Sequence, residues 1–134
     1  METGNTARAL GFAKAITNRD REAALAVCHP DIEFRSMLGI DGRSYRGHDG
    51  IREYFDDIDS AFSEWSIEVE QVVEGDDGRV AIVMTMHARG QGSGAELAGR
   101  TGHVWTLRDG RLARNQLFRE ADAALEALSL RPRT

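Results

Sequence analysis

The sequence is poor in cysteine, in net positive charge and in long apolar runs. Cys28 is its only cysteine, so an intrachain disulfide and a cysteine-based metal cluster are both excluded. Its 22 acidic side chains outnumber 17 basic ones and give a net charge of −5, the opposite of the basic footprint of a nucleic-acid binder. No apolar run approaches the roughly 20 residues of a membrane span. We therefore expect neither a nucleic-acid partner nor a membrane partner.

The remaining composition is that of an ordinary globular protein. A chain of 134 residues suits one domain with its own core, and we expect residues 1–134 to form it. Hydrophobic residues make up 41% and charged residues 29%, which argues against wholesale disorder. The first residues lack the apolar core of a signal peptide, so a cytoplasmic location is expected.

The most informative stretch is residues 101–118, which indicates a β-hairpin. Two alternating runs flank the dipeptide Asp109-Gly110. This dipeptide is a strong signal for a two-residue hairpin turn, because the turn needs a positive φ that glycine supplies freely.

Alternation along this hairpin places the side chains of His103 and Trp105 on one face. A two-residue turn without irregularity would pair Trp105 with Arg114 and His103 with Gln116, and Phe118 would lie on the same face. A histidine, an amide and aromatic rings on one surface can form the floor of a ligand pocket.

The rest of the chain predicts helices that cover this sheet. Helical spacing indicates helices at 6–18, 21–28, 48–62 and 120–130, and alternation indicates strands at 32–37, 65–73, 80–88 and 96–107. Pro30 is expected to end the second helix.

Residues 38–47 indicate a loop, in which Leu38 and Ile40, with Met37 before them, form either a lip over a cavity or simple edge packing. The glycine run at 90–94 indicates a wide hairpin rather than a phosphate loop.

The strand at 80–88 is apolar on both of its faces. One face carries Val80, Ile82, Met84 and Met86, and the other carries Ala81 and Val83. Such a strand must be covered on both sides. One side can pack on the helices, and we expect the other side to lie in a homodimer interface.

Three motifs give this order of elements a family resemblance. The segment 45–55 opens the third helix, His29-Pro-Asp-Ile-Glu-Phe34 forms the first strand, and 105–112 forms the last hairpin. Three helices with one strand between the second and third, followed by a long antiparallel sheet with these motifs, resemble the SnoaL-like branch of the nuclear transport factor 2-like superfamily. The resemblance covers nearly the whole chain.

The resemblance implies an α+β cone, in which a curved antiparallel sheet wraps around the N-terminal helices and leaves a central cavity. Members include polyketide cyclases, ketosteroid isomerases, limonene epoxide hydrolases and non-catalytic binding modules, so the fold alone selects no function. The implied ligand is small and apolar, and no cofactor or metal is expected. The residues expected to line the cavity are Phe12, Ile16, Phe34, Tyr54, Phe55, Trp65, Met84, Met86, Trp105, Arg114 and Phe118. The alternative for the methionines and most of the aromatic residues is that they are plain core.

Three positions depart from the ketosteroid isomerase pattern. Ser36 stands where those enzymes carry a carboxylate base, Phe12 where they carry a tyrosine oxyanion donor, and His103 where they carry a protonated aspartate. Steroid isomerisation by that mechanism is therefore not expected. The epoxide hydrolases need paired inward carboxylates, which these strands also lack.

His103 is the main candidate for chemistry. The unperturbed pKa of histidine, about 6.5, suits proton transfer near neutral pH. Gln116 could orient its ring or a substrate carbonyl, and Arg114 could steady an enolate or simply reach solvent. These residues predict a cofactor-free isomerase or cyclase acting on an apolar substrate. The alternative is a ligand-binding or scaffold module in which His103 has only a structural or binding role.

Overall fold

The computed structural model describes residues 4–38 and 42–129, which form an α+β fold with helices against one sheet. The helices are α1 (Gly4–Asn18), α2 (Arg21–Val27), α3 (Gly47–Ala61) and α4 (Ala123–Ser129). The strands are β1 (Cys28–Ser36), β2 (Arg43–Arg46), β3 (Phe62–Glu74), β4 (Val80–Gly90), β5 (Glu96–Arg108) and β6 (Arg111–Phe118). None of these helices is long and apolar enough to cross a membrane. Ile40 of the predicted lip and the predicted helix end at Leu130 lie outside the described residues.

The sheet is mixed rather than wholly antiparallel. Its strand order is β2-β1-β6-β5-β4-β3. All neighbours pair antiparallel except β1 and β6, which run parallel. These two strands come from opposite ends of the chain, so their pairing is not constrained by the short hairpin connections that make neighbouring strands antiparallel.

The region around Pro30 differs most from the prediction. The second helix ends at Val27, and Pro30 lies within β1 rather than in a break before it. Pairing of β1 with β6 shifts register between Cys28 and Glu33. Proline has no N–H for a ladder hydrogen bond and is therefore tolerated at such an irregularity. The loop predicted at 38–47 also contains a short strand, β2.

The main core lies between the sheet and α1 and α3. The predicted stripe of α3 is confirmed, since Ile51, Tyr54, Phe55 and Ile58 are all buried. The predicted inward face of β1 is also confirmed by the burial of Ile32, Phe34 and Ser36. In β3 the predicted alternation fails beyond Val69, where a register shift turns Val72 inward and leaves Val73 38% exposed.

The second apolar face of β4 is covered within the chain. Ala81 packs with Val104 and with Ala124 of α4. Gly102 permits this close approach, because a Cβ at that position would lie 2.4 Å from the carbonyl oxygen of Ala121. Burial of this face therefore does not require a second subunit, and the homodimer stays a prediction.

Candidate functional site

The β5–β6 hairpin has the predicted turn but a different register. Asp109 and Gly110 both have positive φ, as a two-residue hairpin turn requires. Beyond the turn, Ala113 is an extra residue in β6 and forms a β-bulge. Because side chains alternate along a strand, one extra residue moves every later side chain of β6 to the opposite face.

Asn115, rather than Gln116, therefore shares the inner face of the sheet with His103. Trp105 lies opposite Asn115, so the predicted pairs Trp105–Arg114 and His103–Gln116 are wrong. Arg114 and Gln116 are both exposed. One feature of the sequence argued against the predicted pairs. They would place the long polar side chains of Arg114 and Gln116 on the same buried face as Trp105.

The inner face of the sheet and the helices enclose a narrow apolar cavity. Seven of the expected lining residues are in its wall, namely Phe12, Ile16, Phe34, Tyr54, Trp65, Met84 and Trp105. His103, Ser36 and Met37 also line it. Phe55 and Met86 are buried in the core outside this wall. Phe118 does not line it, because the bulge turns its ring to the outer face, where it packs near α4.

The cavity is small. The centre of a water molecule can occupy about 30 Å³ of it, and one buried water needs roughly 10–15 Å³ on this measure. The space thus holds about two waters, far below the roughly 300–1,000 Å³ of small-molecule pockets. Met37 and Met84 in the wall are unbranched and flexible, which is the property that lets a cavity adapt to a guest.

Aromatic rings form the rigid part of the wall. The rings of Phe34 and Trp105 are stacked with their centroids 5.7 Å apart, and Phe12 meets both edge-on at 5.3 and 5.4 Å. Such pairs contribute roughly 0.5–1.5 kcal/mol each beyond their buried area. This cluster holds the wall beside His103 in a fixed shape.

Asn115 fixes the orientation of the His103 ring. The Asn115 Oδ1 accepts from the Arg35 N–H at 2.7 Å, and Nδ2 donates to the Arg35 carbonyl at 2.9 Å. These two bonds identify the amide nitrogen, whose second hydrogen is directed at His103 Nδ1, 2.9 Å away. Nδ1 is therefore an acceptor, and the proton of the neutral ring resides on Nε2.

His103 is a neutral donor rather than a proton carrier at neutral pH. It is 5% exposed, and burial lowers its pKa to about 4 because the charged imidazolium loses its hydration. The unperturbed value near 6.5 therefore does not apply in this environment. In the described part of the chain, Nε2–H has no hydrogen-bond partner.

Three further polar side chains belong to the wall, namely Trp65, Tyr54 and Ser36, whose hydroxyl oxygen accepts from the Leu38 N–H. Trp65 Nε1 is buried and lacks a hydrogen-bond partner among the described residues. Burial raises the pKa of Tyr54, so its phenol stays protonated. The described part of the wall contains no carboxylate. The described part of the wall therefore offers hydrogen-bond donors to a guest and no acidic side chain that could serve as a base.

Comparisons with known proteins agree with this architecture. The SnoaL-like domain family matches residues 9–115. None of the curated proteins compared with the sequence matches it.

Several solved structures share the fold. TerC, co-crystallised with polyporic acid, is 24% identical with a TM-score of 0.75, and the match covers 96% of this chain and all of TerC. An NTF2-like protein from Burkholderia pseudomallei is 19% identical with a TM-score of 0.77, and the match covers 96% of this chain and 98% of that one. RV0760c from Mycobacterium tuberculosis, in complex with estradiol-17β-hemisuccinate, is 15% identical with a TM-score of 0.74, with 87% and 93% covered. The chain therefore belongs to the SnoaL-like domain family and has the cone fold of the nuclear transport factor 2-like proteins.

Proposed function

We propose that this protein binds a small, mostly apolar molecule and holds one acceptor oxygen of that molecule through His103 Nε2–H. The observation that carries the proposal is the 2.9 Å bond from Asn115 Nδ2 to His103 Nδ1. This bond leaves Nε2–H as a fixed donor in a mostly apolar cavity. An apolar cavity with a few placed polar groups is the usual form of a small-molecule site.

The relatives support a small-molecule role over a purely structural one. TerC was crystallised with polyporic acid, and RV0760c was solved with estradiol-17β-hemisuccinate. Both are organic molecules, and both proteins share the fold along most of this chain.

Binding requires the cavity to widen, and Met37 is the side chain best placed to allow this. It lines the cavity and also a neighbouring surface groove that contains Arg100, Thr101 and Leu117. Its sulfur lies 4.0 Å from Thr101 Oγ1. A rotamer change of this half-buried side chain would join the groove to the cavity, and the thioether has little rotational preference to oppose the change.

The chemistry of the wall favours binding over isomerisation. A neutral imidazole donor can stabilise a developing oxyanion, but proton abstraction also needs a base. His103 Nδ1 is occupied by Asn115, and the described wall has no carboxylate. We therefore propose a binding protein in which His103 recognises a carbonyl without transferring a proton.

Tryptophan fluorescence can test the proposal directly. The chain has two tryptophans, and both line the cavity. We expect 4-acetylbiphenyl to bind about 3- to 10-fold more tightly than 4-ethylbiphenyl, which has nearly the same shape but no oxygen, since one hydrogen bond contributes roughly 0.5–1.5 kcal/mol. Equal affinities for the two compounds, or binding of neither, would overturn the proposal.

A pair of variants locates the effect. His103→Leu removes the donor and should abolish the preference for the acetyl compound, with circular dichroism as the check on folding. Gln116→Ala changes an exposed side chain on the outer face of the same hairpin, and should preserve the preference. If His103→Leu does not fold, the comparison of the two biphenyls in the unmodified protein still decides the question.

A further inference from the structure

Trp65 has a polar group that finds no partner among the residues that the structure describes. Its side chain is 5% exposed, and Nε1–H is buried without a hydrogen-bond acceptor among the described residues. An unsatisfied buried N–H costs roughly 1–3 kcal/mol. Such groups are rare in native proteins and call for an explanation.

The position of Trp65 indicates what could satisfy it. Trp65 lines the same cavity as His103. Its ring contacts that of Phe62, with 4.9 Å between centroids, so the indole is held by packing. Indole nitrogen can only donate a hydrogen bond, so an acceptor that enters a widened cavity beside the indole would satisfy it.

The two donors come from distant positions along the sheet. Trp65 pairs with Ala88 and His103 pairs with Ile82, six positions apart on β4. At about 3.3 Å per residue this separation is about 20 Å along the strand. The inward reach of both side chains shortens the gap between the donor atoms, and a backbone separation on this scale favours a different acceptor oxygen for each donor.

We infer that Trp65 Nε1–H is a second ligand contact, so that the ligand is an elongated apolar molecule with an acceptor oxygen at each end. The inference rests on the proposed function. His103 Nε2–H binds the first oxygen, Trp65 Nε1–H binds the second, and the apolar wall between them contacts the body of the molecule. A small ketone that fills only one end would leave the Trp65 donor unpaired.

Three biphenyls with the same rigid body test this assignment. 4,4′-Diacetylbiphenyl has a carbonyl at both ends, 4-acetylbiphenyl has one, and 4-ethylbiphenyl has none. We expect affinity to fall in that order, by roughly 3- to 10-fold for each hydrogen bond lost. Fluorescence of the two cavity tryptophans reports binding in the unmodified protein.

The Trp65→Phe variant isolates the second contact. It keeps an aromatic ring and removes only the N–H, and Trp105 remains as the fluorescent reporter. We expect this variant to bind the diacetyl compound no more tightly than the monoacetyl compound, and to bind 4-ethylbiphenyl as the unmodified protein does. Its melting temperature without ligand should not fall by the amount typical of a lost hydrogen bond, because the indole N–H makes none with the described residues.

The outcomes separate this inference from the proposed function. If the diacetyl and monoacetyl compounds bind equally in the unmodified protein, while both exceed 4-ethylbiphenyl, then His103 recognition stands and the Trp65 contact is overturned. The Trp65 contact is also overturned if the Trp65→Phe variant still binds the diacetyl compound more tightly than the monoacetyl compound, because the preference would then not depend on the indole N–H. If no biphenyl binds, both proposals are overturned.

Discussion

Asn115 Nδ2 lies 2.9 Å from His103 Nδ1 and donates a hydrogen bond to it. The same amide accepts a hydrogen bond from the Arg35 N–H and donates one to the Arg35 carbonyl. These bonds connect β1, β5 and β6 at the point where the imidazole enters the cavity. Loss of the Asn115 amide, the His103 ring or the backbone contact of Arg35 would disturb the other two. The polar chemistry of the site is thus also part of its structural support.

Asn115 should be more important for stability than its exposed neighbours. Asn115→Ala removes three hydrogen bonds, two of which satisfy the Arg35 backbone, and we expect the free energy of unfolding to fall by about 2–4 kcal/mol. Gln116→Ala, at an exposed site, should change it by less than about 0.5 kcal/mol. Urea denaturation measures both, and equal midpoints for the two variants would refute the role assigned to the amide.

Burial of His103 should make stability depend on pH. The folded pKa of about 4 lies below the ordinary value of 6.5, so between these values the unfolded chain holds a proton that the folded chain does not. Stability from this source is therefore present above pH 6.5 and is lost as pH falls towards 4. The loss amounts to roughly 3 kcal/mol.

Urea denaturation at several pH values can isolate that contribution. His103→Gln cannot titrate, and its amide oxygen can still accept from Asn115. The difference in unfolding free energy between the unmodified protein and this variant should shrink or reverse between pH 6.5 and pH 4. Two parallel pH profiles would show that His103 titrates normally and would contradict its burial as a neutral ring.

Close packing of α4 on the sheet should make Gly102 sensitive to substitution. A Cβ at this position would lie 2.4 Å from the Ala121 carbonyl oxygen and 2.7 Å from Ala124 Cβ. We expect Gly102→Ala to cost about 1–3 kcal/mol through displacement of the helix. Gly99→Ala is the control, because its nearest neighbour is the mobile end of Met37, 3.0 Å away. Equal chemical-denaturation midpoints would contradict this account.

Met37 should limit the rate of ligand entry. Met37→Ala removes the side chain shared by the cavity and the surface groove, so association of 4-acetylbiphenyl in stopped-flow fluorescence should be several-fold faster. Met37→Leu retains the bulk and should stay closer to the unmodified rate. An association rate that is unchanged in Met37→Ala would place the entry route elsewhere.

Much of the architecture was predictable because it depends on local patterns. The buried stripe of α3 follows from helical spacing, and the inward face of β1 follows from alternation. The turn at Asp109-Gly110 follows from the backbone freedom of glycine. The mixed sheet was not predictable in this way, because the parallel pair joins strands distant in sequence.

The candidate site was predicted only in part. His103 and most of the apolar wall were identified correctly as inward residues, but Asn115 was missed. A single inserted residue in β6 exchanges Asn115 for Gln116 on the inner face, and strict alternation has no means of locating such a bulge. Phe118 was misplaced for the same reason.

The sequence by itself determined the positions of the helices and strands, the hairpin turn and which face of most elements is apolar, since these depend on residues close together in the chain. The tertiary structure alone decided the partner of His103, its depressed pKa, the lack of a partner for the Trp65 indole N–H among the described residues, and the packing of α4 over β4. These properties depend on which groups from distant segments meet, and on how completely they exclude water from one another.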